Sequence, residues 1–165
     1  MTVGKPMLLL DTNVWLDDAF EQRRGHDSAR ELIAYARAHD IDLVYAITTA
    51  KDVYYIAAQQ IKAHVRASKG SLSEAYATAA TDCAWDIAEG MDDVAAPIGM
   101  DVADVWMARK LRSVHNDLED NLVIAAAERA DADYIVTSDR QLLANPHVRA
   151  LTAAQMLDHL AVFAR

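Results

Sequence analysis

Short apolar runs that stop at an acidic residue are the feature of this sequence that most restricts its fold. The first run, Met7-Leu8-Leu9-Leu10, begins after polar residues and ends abruptly at Asp11. A continuous apolar run of this length predicts a strand that is buried on both faces of a sheet. Similar runs occur at 43–47 and 134–137, and stretches with helical spacing separate them. Strands that alternate with helices predict an α/β sandwich with a mostly parallel central sheet.

The remaining elements are predicted from the spacing of apolar residues and from the helix-capping and turn residues. Residues 27–39 have helical periodicity, and Asp27 or Ser28 is the expected N-cap. Pro97 makes the short run 94–98 an edge strand at most. The other predicted helices are 48–67 (from Thr48 or Thr49), 72–89, 102–111, 117–130, 140–144 and 152–161, with a turn at Asn145-Pro146.

Length and composition indicate a single globular domain. The chain has 165 residues, of which 53% are hydrophobic, and it contains no linker, repeat or low-complexity tract, so we predict one domain over 1–165. Its apolar N-terminal run is too short for a signal peptide or a membrane span. The single cysteine, Cys83, permits no intramolecular disulfide, which fits the reducing cytoplasm. Because Cys83 lies in a helical stretch, we expect it to be a small buried hydrophobe.

The net charge leaves two interpretations open. The chain has 25 acidic and 16 basic residues, and 25 − 16 gives an excess of nine negative charges. Proteins that bind nucleic acid usually carry a basic surface, because phosphate contacts dominate their affinity. Either this protein does not contact nucleic acid, or part of its negative charge surrounds a cation. The charge alone does not decide between them.

Acidic residues occur at the places where a parallel sheet binds ligands, outside the carboxyl ends of its strands. Asp11 and Asp139 follow the first and last predicted strands, and Asp52 lies one helical turn after the second. Asp117 and Asp120 open the helix before the last strand, three residues apart and therefore close in direction around its axis. The repulsion between carboxylates gathered at one edge would cost roughly several kcal/mol, unless some of them are protonated or they bind a shared cation. Oxygen ligands of this kind suit Mg²⁺ or Mn²⁺.

Each of these acids also has an ordinary structural interpretation. An Asp at the start of a helix is commonly an N-cap that accepts a hydrogen bond from a free backbone N–H. Asp117 and Asp120 could form a capping box, and Asp52 could be a solvated residue on a helix surface. A residue can serve as a cap and as a ligand together, so these interpretations do not exclude a metal site.

Four blocks of the sequence, in this order, carry a resemblance to a known family. The blocks are 8–17 (Leu-Leu-Leu-Asp-Thr-Asn-Val-Trp-Leu-Asp), Asp52 after Thr48-Thr49, 117–126 (beginning Asp-Leu-Glu-Asp-Asn-Leu), and 135–139 (Ile-Val-Thr-Ser-Asp). In residue type, order and spacing they resemble the PIN-domain nucleases, whose small members include the VapC-like toxin ribonucleases. The resemblance extends over about 7–151. It implies a three-layer α/β/α fold and RNA cleavage that depends on one or two Mg²⁺ or Mn²⁺ ions.

The resemblance also assigns roles by motif position. It implies metal ligands at Asp11, Asp120 and Asp139, an additional acid at Asp117, the acid of the second helix at Asp52, and supporting polar residues at Asn13 and Thr137. The position of Asp52 is more often Glu in this family, and the shorter side chain puts its direct contact with metal in doubt. The basic residues near these motifs are Lys51, Arg140, Arg23 and Arg24. Any of them could contact substrate phosphates, and Lys51 and Arg140 are the preferred candidates. His115 lies near the acids without ligand-like spacing, and we expect no catalytic or ligand role for it.

The resemblance implies RNA as substrate and an antitoxin protein as a candidate partner. A homodimer is a further candidate, because the Tyr54-Tyr55 pair on a predicted helix could be a dimer contact, and the short apolar run predicts no membrane partner. Two other functions stay open. A haloacid-dehalogenase-like phosphatase also begins with an Asp after the first strand, but it needs a second Asp where this chain has Asn13, which cannot transfer a proton as a carboxyl group does. A non-catalytic PIN-like interaction module is the other alternative, and the intact Asp11, Asp120 and Asp139 argue against it. The target RNA, the number of ions and the oligomeric state are not readable from the sequence.

Overall fold

A five-stranded parallel sheet forms the centre of the computed structural model, which describes residues 5–163. The strands are β1 (Met7–Leu10), β2 (Asp42–Ala46), β3 (Ala96–Ile98), β4 (Tyr134–Val136) and β5 (Ala150–Leu151), in the order β3-β2-β1-β4-β5. β1 pairs with β2 on one side and with β4 on the other, so the apolar run at 7–10 occupies the middle of the sheet. Leu8, Leu9 and Leu10 are fully buried. The central position explains why this run contains no polar residue.

Helices cover both faces of the sheet. They are α1 (Thr12–Ala19), α2 (His26–Ala38), α3 (Ile47–Lys69), α4 (Glu74–Asp92), α5 (Val102–Lys110), α6 (Leu118–Ala130), α7 (Arg140–Ala144) and α8 (Ala153–Phe163), with a 3₁₀ turn at Leu111–Ser113. Leu8 and Leu10 pack into a core with residues of α1 to α4 and α8. Leu9 points to the opposite face and packs with residues of α6 and α7. The predicted α/β sandwich is confirmed, and within the described residues its sheet is entirely parallel.

Two elements were not predicted. α1 begins directly after β1, because Asp11 accepts a hydrogen bond from Thr12 N–H as its N-cap. Its residues Val14, Trp15 and Leu16 are all buried, so the helix shows no amphipathic period in the sequence. β5 contains only two residues, which is too short for a pattern of alternating or continuous apolar residues. The edge position predicted for 94–98 is confirmed, because β3 is the last strand on its side.

The start of α2 differs from the expected one. Its N-cap is Gly25, with no side-chain cap, and neither Asp27 nor Ser28 holds that position. At Gly25 the segment before α2 passes close to α1. A Cβ atom at residue 25 would lie 2.1 Å from Asp17 Oδ2, so glycine is needed where the backbone passes this buried side chain.

The expectation that Cys83 is buried was wrong, because its side chain is exposed. α4 buries Ala80, Ala84 and Met91 instead, which lie on another side of the helix. α3 and α4 form a long helical hairpin, and α3 ends at Gly70 in the left-handed conformation with φ of 76°. Residues on the outer surface of a hairpin remain in contact with solvent even where they are apolar. None of the helices within residues 5–163 combines the length and the apolar character needed to cross a membrane.

The register of the central strands brings the two halves of the chain together at one edge. Leu10 pairs with Val136, so β1 and β4 end side by side. The backbone N–H of Asp11 donates to the Val136 carbonyl at 3.0 Å, and this bond extends the ladder by one step. The residues that follow, Asp11 and Thr137, are therefore neighbours although 126 positions separate them in the chain.

Candidate active site

Asp11 lies where β1 ends and α1 begins, and it is only 5% exposed. Its Oδ1 atom accepts a 2.7 Å hydrogen bond from Thr12 N–H. Its Oδ2 atom accepts from Asn13 Nδ2 and from Thr137 Oγ1, each at 2.7 Å. Burial raises the pKa of Asp11 above its ordinary value of 3.8 although these hydrogen bonds lower it, and the negative charge of Asp120 adds to the rise. Burial is therefore the main cost of the charged form of Asp11, and the three hydrogen bonds offset it only in part.

Asn13 and Thr137 connect the ends of β1 and β4. Asn13 Nδ2 donates to Thr137 Oγ1 at 3.1 Å, and Asn13 Oδ1 accepts from the Ser138 backbone N–H at 2.8 Å. Thr137 Oγ1 also accepts from the Asp139 N–H at 3.0 Å. Both predicted supporting residues thus contact Asp11 and hold the backbone of the segment that leads to Asp139.

Asp120 belongs to the first turn of α6 and contacts His115. His115 Nε2 lies 2.7 Å from Asp120 Oδ2, and the His115 side chain is 6% exposed. Asn121 is buried and donates from Nδ2 to the His115 carbonyl at 2.9 Å, which holds the loop before α6. Burial raises the pKa of Asp120, the negative charges of Asp117 and Asp139 raise it further, and His115 opposes the rise. From the sequence, no catalytic or ligand role was expected for His115, and its position five residues before Asp120 was the only signal of this contact.

Asp117 and Asp139 are both N-caps. Asp117 Oδ1 accepts from the N–H groups of Glu119 at 2.9 Å and Asp120 at 3.1 Å. Asp139 Oδ1 caps α7 through the N–H groups of Gln141 at 2.7 Å and Leu142 at 3.0 Å. Each carboxylate uses one oxygen for its cap, and both are close enough to Asp120 to raise its pKa. Capping and participation in the acidic cluster therefore occur together.

Asp52 is placed at one side of this cluster. Its side chain is 12% exposed, lies 2.9 Å from Lys51 Nζ, and shares a hydrogen bond with Glu119. That hydrogen bond, together with burial and the charge of Asp52, raises the pKa of Glu119 to about 7. Among the described residues, the contacts of Asp52 are with Lys51 and Glu119 and not with Asp11. Glu119 was not among the predicted site residues, and nothing in the sequence connects it with a residue 67 positions earlier.

The donor atoms at this edge suit a hard divalent cation, because they are carboxylate oxygens with a surplus of negative charge. The negative charges of neighbouring acids raise the pKa of both Asp11 and Asp120. Neither residue forms an ion pair with Lys or Arg among residues 5–163. Within the same residues, no group of three His, Cys, Asp or Glu side chains has the spacing of a metal-binding site. The cluster thus has the ligand chemistry of a cation site.

The two predicted substrate-binding cations have different surroundings. Lys51 is exposed and paired with Asp52, which raises the pKa of Lys51. Arg140 follows Asp139 as the first residue of α7, and its exposed side chain has no ion pair in the part of the chain that the structure describes. Arg140 is the more available of the two.

A parallel sheet with acidic residues at the carboxyl ends of its central strands defines a class of α/β proteins with a candidate cation site. The sequence matches the PIN domain over residues 7–141, which is most of the chain, and the protein therefore belongs to the PIN-domain family. Comparison with curated proteins finds no match in sequence.

Solved structures with a similar fold include several toxin–antitoxin proteins. VapBC2 from Rickettsia felis, bound to a DNA fragment from its promoter, is 12% identical with a TM-score of 0.62, over 88% of this chain and 98% of that one. A toxin–antitoxin complex from Klebsiella pneumoniae is 17% identical with a TM-score of 0.56, over 88% and 97% of the two chains. VapC20 from Mycobacterium tuberculosis, a toxin that cleaves the sarcin–ricin loop, is 14% identical with a TM-score of 0.55, over 86% and 98%. At these identities the likeness concerns the fold.

Proposed function

We propose that this protein is a metal-dependent endoribonuclease and the toxin of a toxin–antitoxin pair. The observation that carries the proposal is the proximity of Asp11, at the end of β1, to Asp120, in the first turn of α6. Burial and neighbouring acids raise the pKa of both carboxyl groups, and neither forms an ion pair with Lys or Arg among the described residues. Membership of the PIN-domain family supports the same reaction class. The fold shared with toxins such as VapC20 supports the choice of RNA as the substrate.

In this proposal Asp11, Asp120 and Asp139 hold a divalent cation, and Asp117 assists through Oδ2, the oxygen that the cap does not use. The ion is Mg²⁺ or Mn²⁺, with one or two bound. When bound, such a cation lowers the pKa of a water molecule and neutralises the charge on the phosphate and the leaving oxygen. The cation also offsets the repulsion between an acidic site and RNA, so the net charge of −9 does not argue against a nucleic-acid substrate.

The other residues of the site orient the carboxylates and the substrate. Thr137 and Asn13 donate to the same oxygen of Asp11 and so fix the plane of its carboxylate. His115 holds Asp120 from the side of the buried loop. Such partners of metal ligands typically change metal affinity or activity by about 10–100-fold when replaced. Asp52 acts through Glu119 in this proposal, since its carboxylate is turned towards that residue.

The test of the nuclease proposal is cleavage of single-stranded RNA with Mg²⁺ or Mn²⁺, with and without EDTA. Wild type is compared with Asp11→Asn and with Asp82→Asn, a matched change at an exposed position on α4. We expect cleavage by wild type and Asp82→Asn only when metal is present, and none by Asp11→Asn. Cleavage that survives both EDTA and the Asp11 substitution would overturn the mechanism. Release of phosphate from monoesters, without RNA cleavage, would favour the phosphatase.

The toxin role is tested in cells. Expression in the native host should arrest growth, and co-expression of the protein encoded beside it should relieve the arrest. The Asp11→Asn variant should be harmless and should still bind that neighbour. Harmless expression of the active protein without any partner would remove the toxin role and leave the nuclease proposal standing. RNA and antitoxin would both be met in the cytoplasm, and we propose that compartment.

A further inference from the structure

A cavity of about 520 Å³ opens beside the candidate active site, on the side of β4. Its wall includes Thr137 and Ser138, and Thr137 donates directly to Asp11. The opposite wall is formed by the segment between α1 and α2, with Arg24 and Ser28, and by the first residues of α8. The side chain of Thr137 therefore lies between the cavity and Asp11, the proposed metal ligand.

The charge in the cavity is opposite in sign to the charge of the whole chain. Arg23 and Asp17 both line it, but they neutralise each other through a 2.6 Å contact between Arg23 Nε and Asp17 Oδ1. Arg24 has no ion pair with any residue in 5–163 and leaves one positive charge uncompensated. In a chain with a formal charge of −9, an unpaired arginine next to an acidic centre favours an anionic ligand at this place.

The segment that carries Arg24 is held in position. Asp17 is 7% exposed, and its backbone carbonyl lies 2.9 Å from His26 Nδ1. Gly25 passes so close to the Asp17 carboxylate that no larger residue fits without displacing it. Because Asp17 binds Arg23 on one side and contacts Gly25 on the other, Arg24 between them is presented by an ordered backbone. Ordering of a site before binding lowers the entropy lost when the ligand binds.

The remaining polar groups of the cavity are donors. The hydroxyl groups of Ser28 and Ser138 have no hydrogen-bond partner among the described residues and line the cavity. At the start of α8, Thr152 and Gln155 bond reciprocally, at 2.9 and 3.2 Å, and satisfy each other. The next two residues, Ala153 and Ala154, line the cavity at the start of α8, where the first backbone N–H groups have no acceptor in the preceding turn within residues 5–163. Free amides at a helix start, beside an arginine and two hydroxyl groups, match the acceptor oxygens of a phosphate group.

We propose that this cavity is a subsite for an RNA phosphate that neighbours the phosphate being cut. The inference rests on the proposed nuclease function, and it assigns Arg24 as the residue that binds this phosphate. A substrate strand crossing the carboxylates at Asp11 continues past Thr137 into the cavity. The efficiency of cleavage should therefore depend on a neighbouring phosphate in the substrate, which a simple phosphodiester lacks.

The first test compares two substrates. With Mn²⁺ present, kcat/KM is measured for a single-stranded RNA of about eight nucleotides, a length comparable to known single-strand sites, and for bis(p-nitrophenyl) phosphate, which has no neighbouring phosphate. Arg24→Gln should lower the ratio of RNA to diester efficiency about tenfold, as expected for loss of a charge-assisted hydrogen bond. Arg24→Lys should restore part of the ratio. Arg66→Gln, a matched change near the far end of α3, should keep the wild-type ratio. An unchanged ratio for Arg24→Gln would overturn the proposal.

The second test measures binding without catalysis. The same RNA, labelled with fluorescein, is titrated with the Asp11→Asn protein in EDTA over a range of KCl concentrations. Adding Arg24→Gln should weaken binding and reduce the slope of log Kd against log salt by about 0.7, the value for one phosphate contact on a single strand. An unaltered slope would contradict the subsite. If wild type cleaves neither substrate, the proposed nuclease function fails, while this binding measurement still decides the role of Arg24.

Discussion

The spacing Asp-x-x-Asp opens two neighbouring helices of this protein, and the two pairs have opposite electrostatic environments. At α5, Asp101 and Asp104 form a complete capping box, with Asp104 Oδ2 accepting from the Asp101 N–H at 2.7 Å. Arg129 reaches both, with Nη2 2.7 Å from Asp101 Oδ2 and 2.8 Å from Asp104 Oδ2. Hydrogen bonds from the Ala103 backbone to Asp101 and from Arg129 to Asp104 lower the pKa of these carboxyl groups.

At α6 the second pair separates. Asp117 caps the helix, but the side chain of Asp120 contacts His115 and does not return to the cap. Burial and the surrounding acids raise the pKa of Asp120. The difference between the two pairs is a protein cation: Arg129 neutralises the first, and no Lys or Arg of the described residues pairs with the second. The first pair is neutralised within the fold by its own arginine. The second has only the His115 contact at Asp120 among the described residues, and its surplus of negative charge suits a cation from solution.

The largest expected difference between the pairs is in catalysis. Asp120→Asn should lower RNA cleavage by more than about 100-fold, since even the partners of metal ligands contribute about 10–100-fold. The matched change Asp104→Asn should leave the rate of the folded protein close to that of wild type, because Asp104 pairs with Arg129 and lies outside the acidic cluster. Initial rates at saturating Mn²⁺ measure both. Equal losses in the two variants would show that the distinction between the pairs has no bearing on catalysis.

Metal addition should stabilise the protein through the second pair only. At a Mn²⁺ concentration about 100 times its Kd, binding to the folded state contributes about 2.7 kcal/mol. For a domain of this size that corresponds to a rise in Tm of about 5–10 °C. Differential scanning fluorimetry should show this rise for wild type and Asp104→Asn, and little or none for Asp120→Asn. A full shift in Asp120→Asn would place the ion elsewhere.

His115 should act as a positioning residue for Asp120. Replacement by Leu removes the 2.7 Å contact and should raise the Mn²⁺ concentration for half-maximal activity about tenfold. His115→Gln, which keeps a polar group at this place, should be affected less. The Mn²⁺ requirement distinguishes a positioning role from a structural one. If His115 were only structural, its replacement would lower Tm without changing the Mn²⁺ requirement, and that result would contradict the prediction.

The smallest effect is a pH-dependent change in stability at the first pair. The pKa of Asp101 and of Asp104 is lowered from 3.8 in the folded protein, so the stability from these groups is present above pH 3.8 and is lost as the pH falls below it. Arg129→Gln should therefore lower Tm by a few degrees at about pH 7, and the difference from wild type should shrink towards about pH 3. A difference in Tm that is constant across this range would mean that the ion pairs do not cause it.

Much of the fold and of the acidic cluster was predictable from local sequence. The run 7–10 identified the central strand, because only a strand covered on both faces needs four apolar residues in succession. The alternation of such runs with helices then predicted the carboxyl edge where Asp11, Asp120 and Asp139 are found. Whether these acids bind a metal ion is a prediction that the experiments above address. α1 escaped prediction because its buried residues are consecutive, and Cys83 was placed wrongly because an apolar residue on α4 can face solvent.

The sequence by itself determined where acidic residues follow strands and open helices, because strand and helix signals are contained in short stretches of chain. Only the tertiary structure decided which of these acids are neutralised by a basic residue and which face another acid. Arg129 meets Asp104 across 25 positions, and Glu119 meets Asp52 across 67, through the packing of separate helices. The energy of a charge depends on its distance to other charges and on its burial, and both are properties of the folded chain. The two Asp-x-x-Asp motifs therefore have the same sequence pattern, but their electrostatic environments in the folded protein are different.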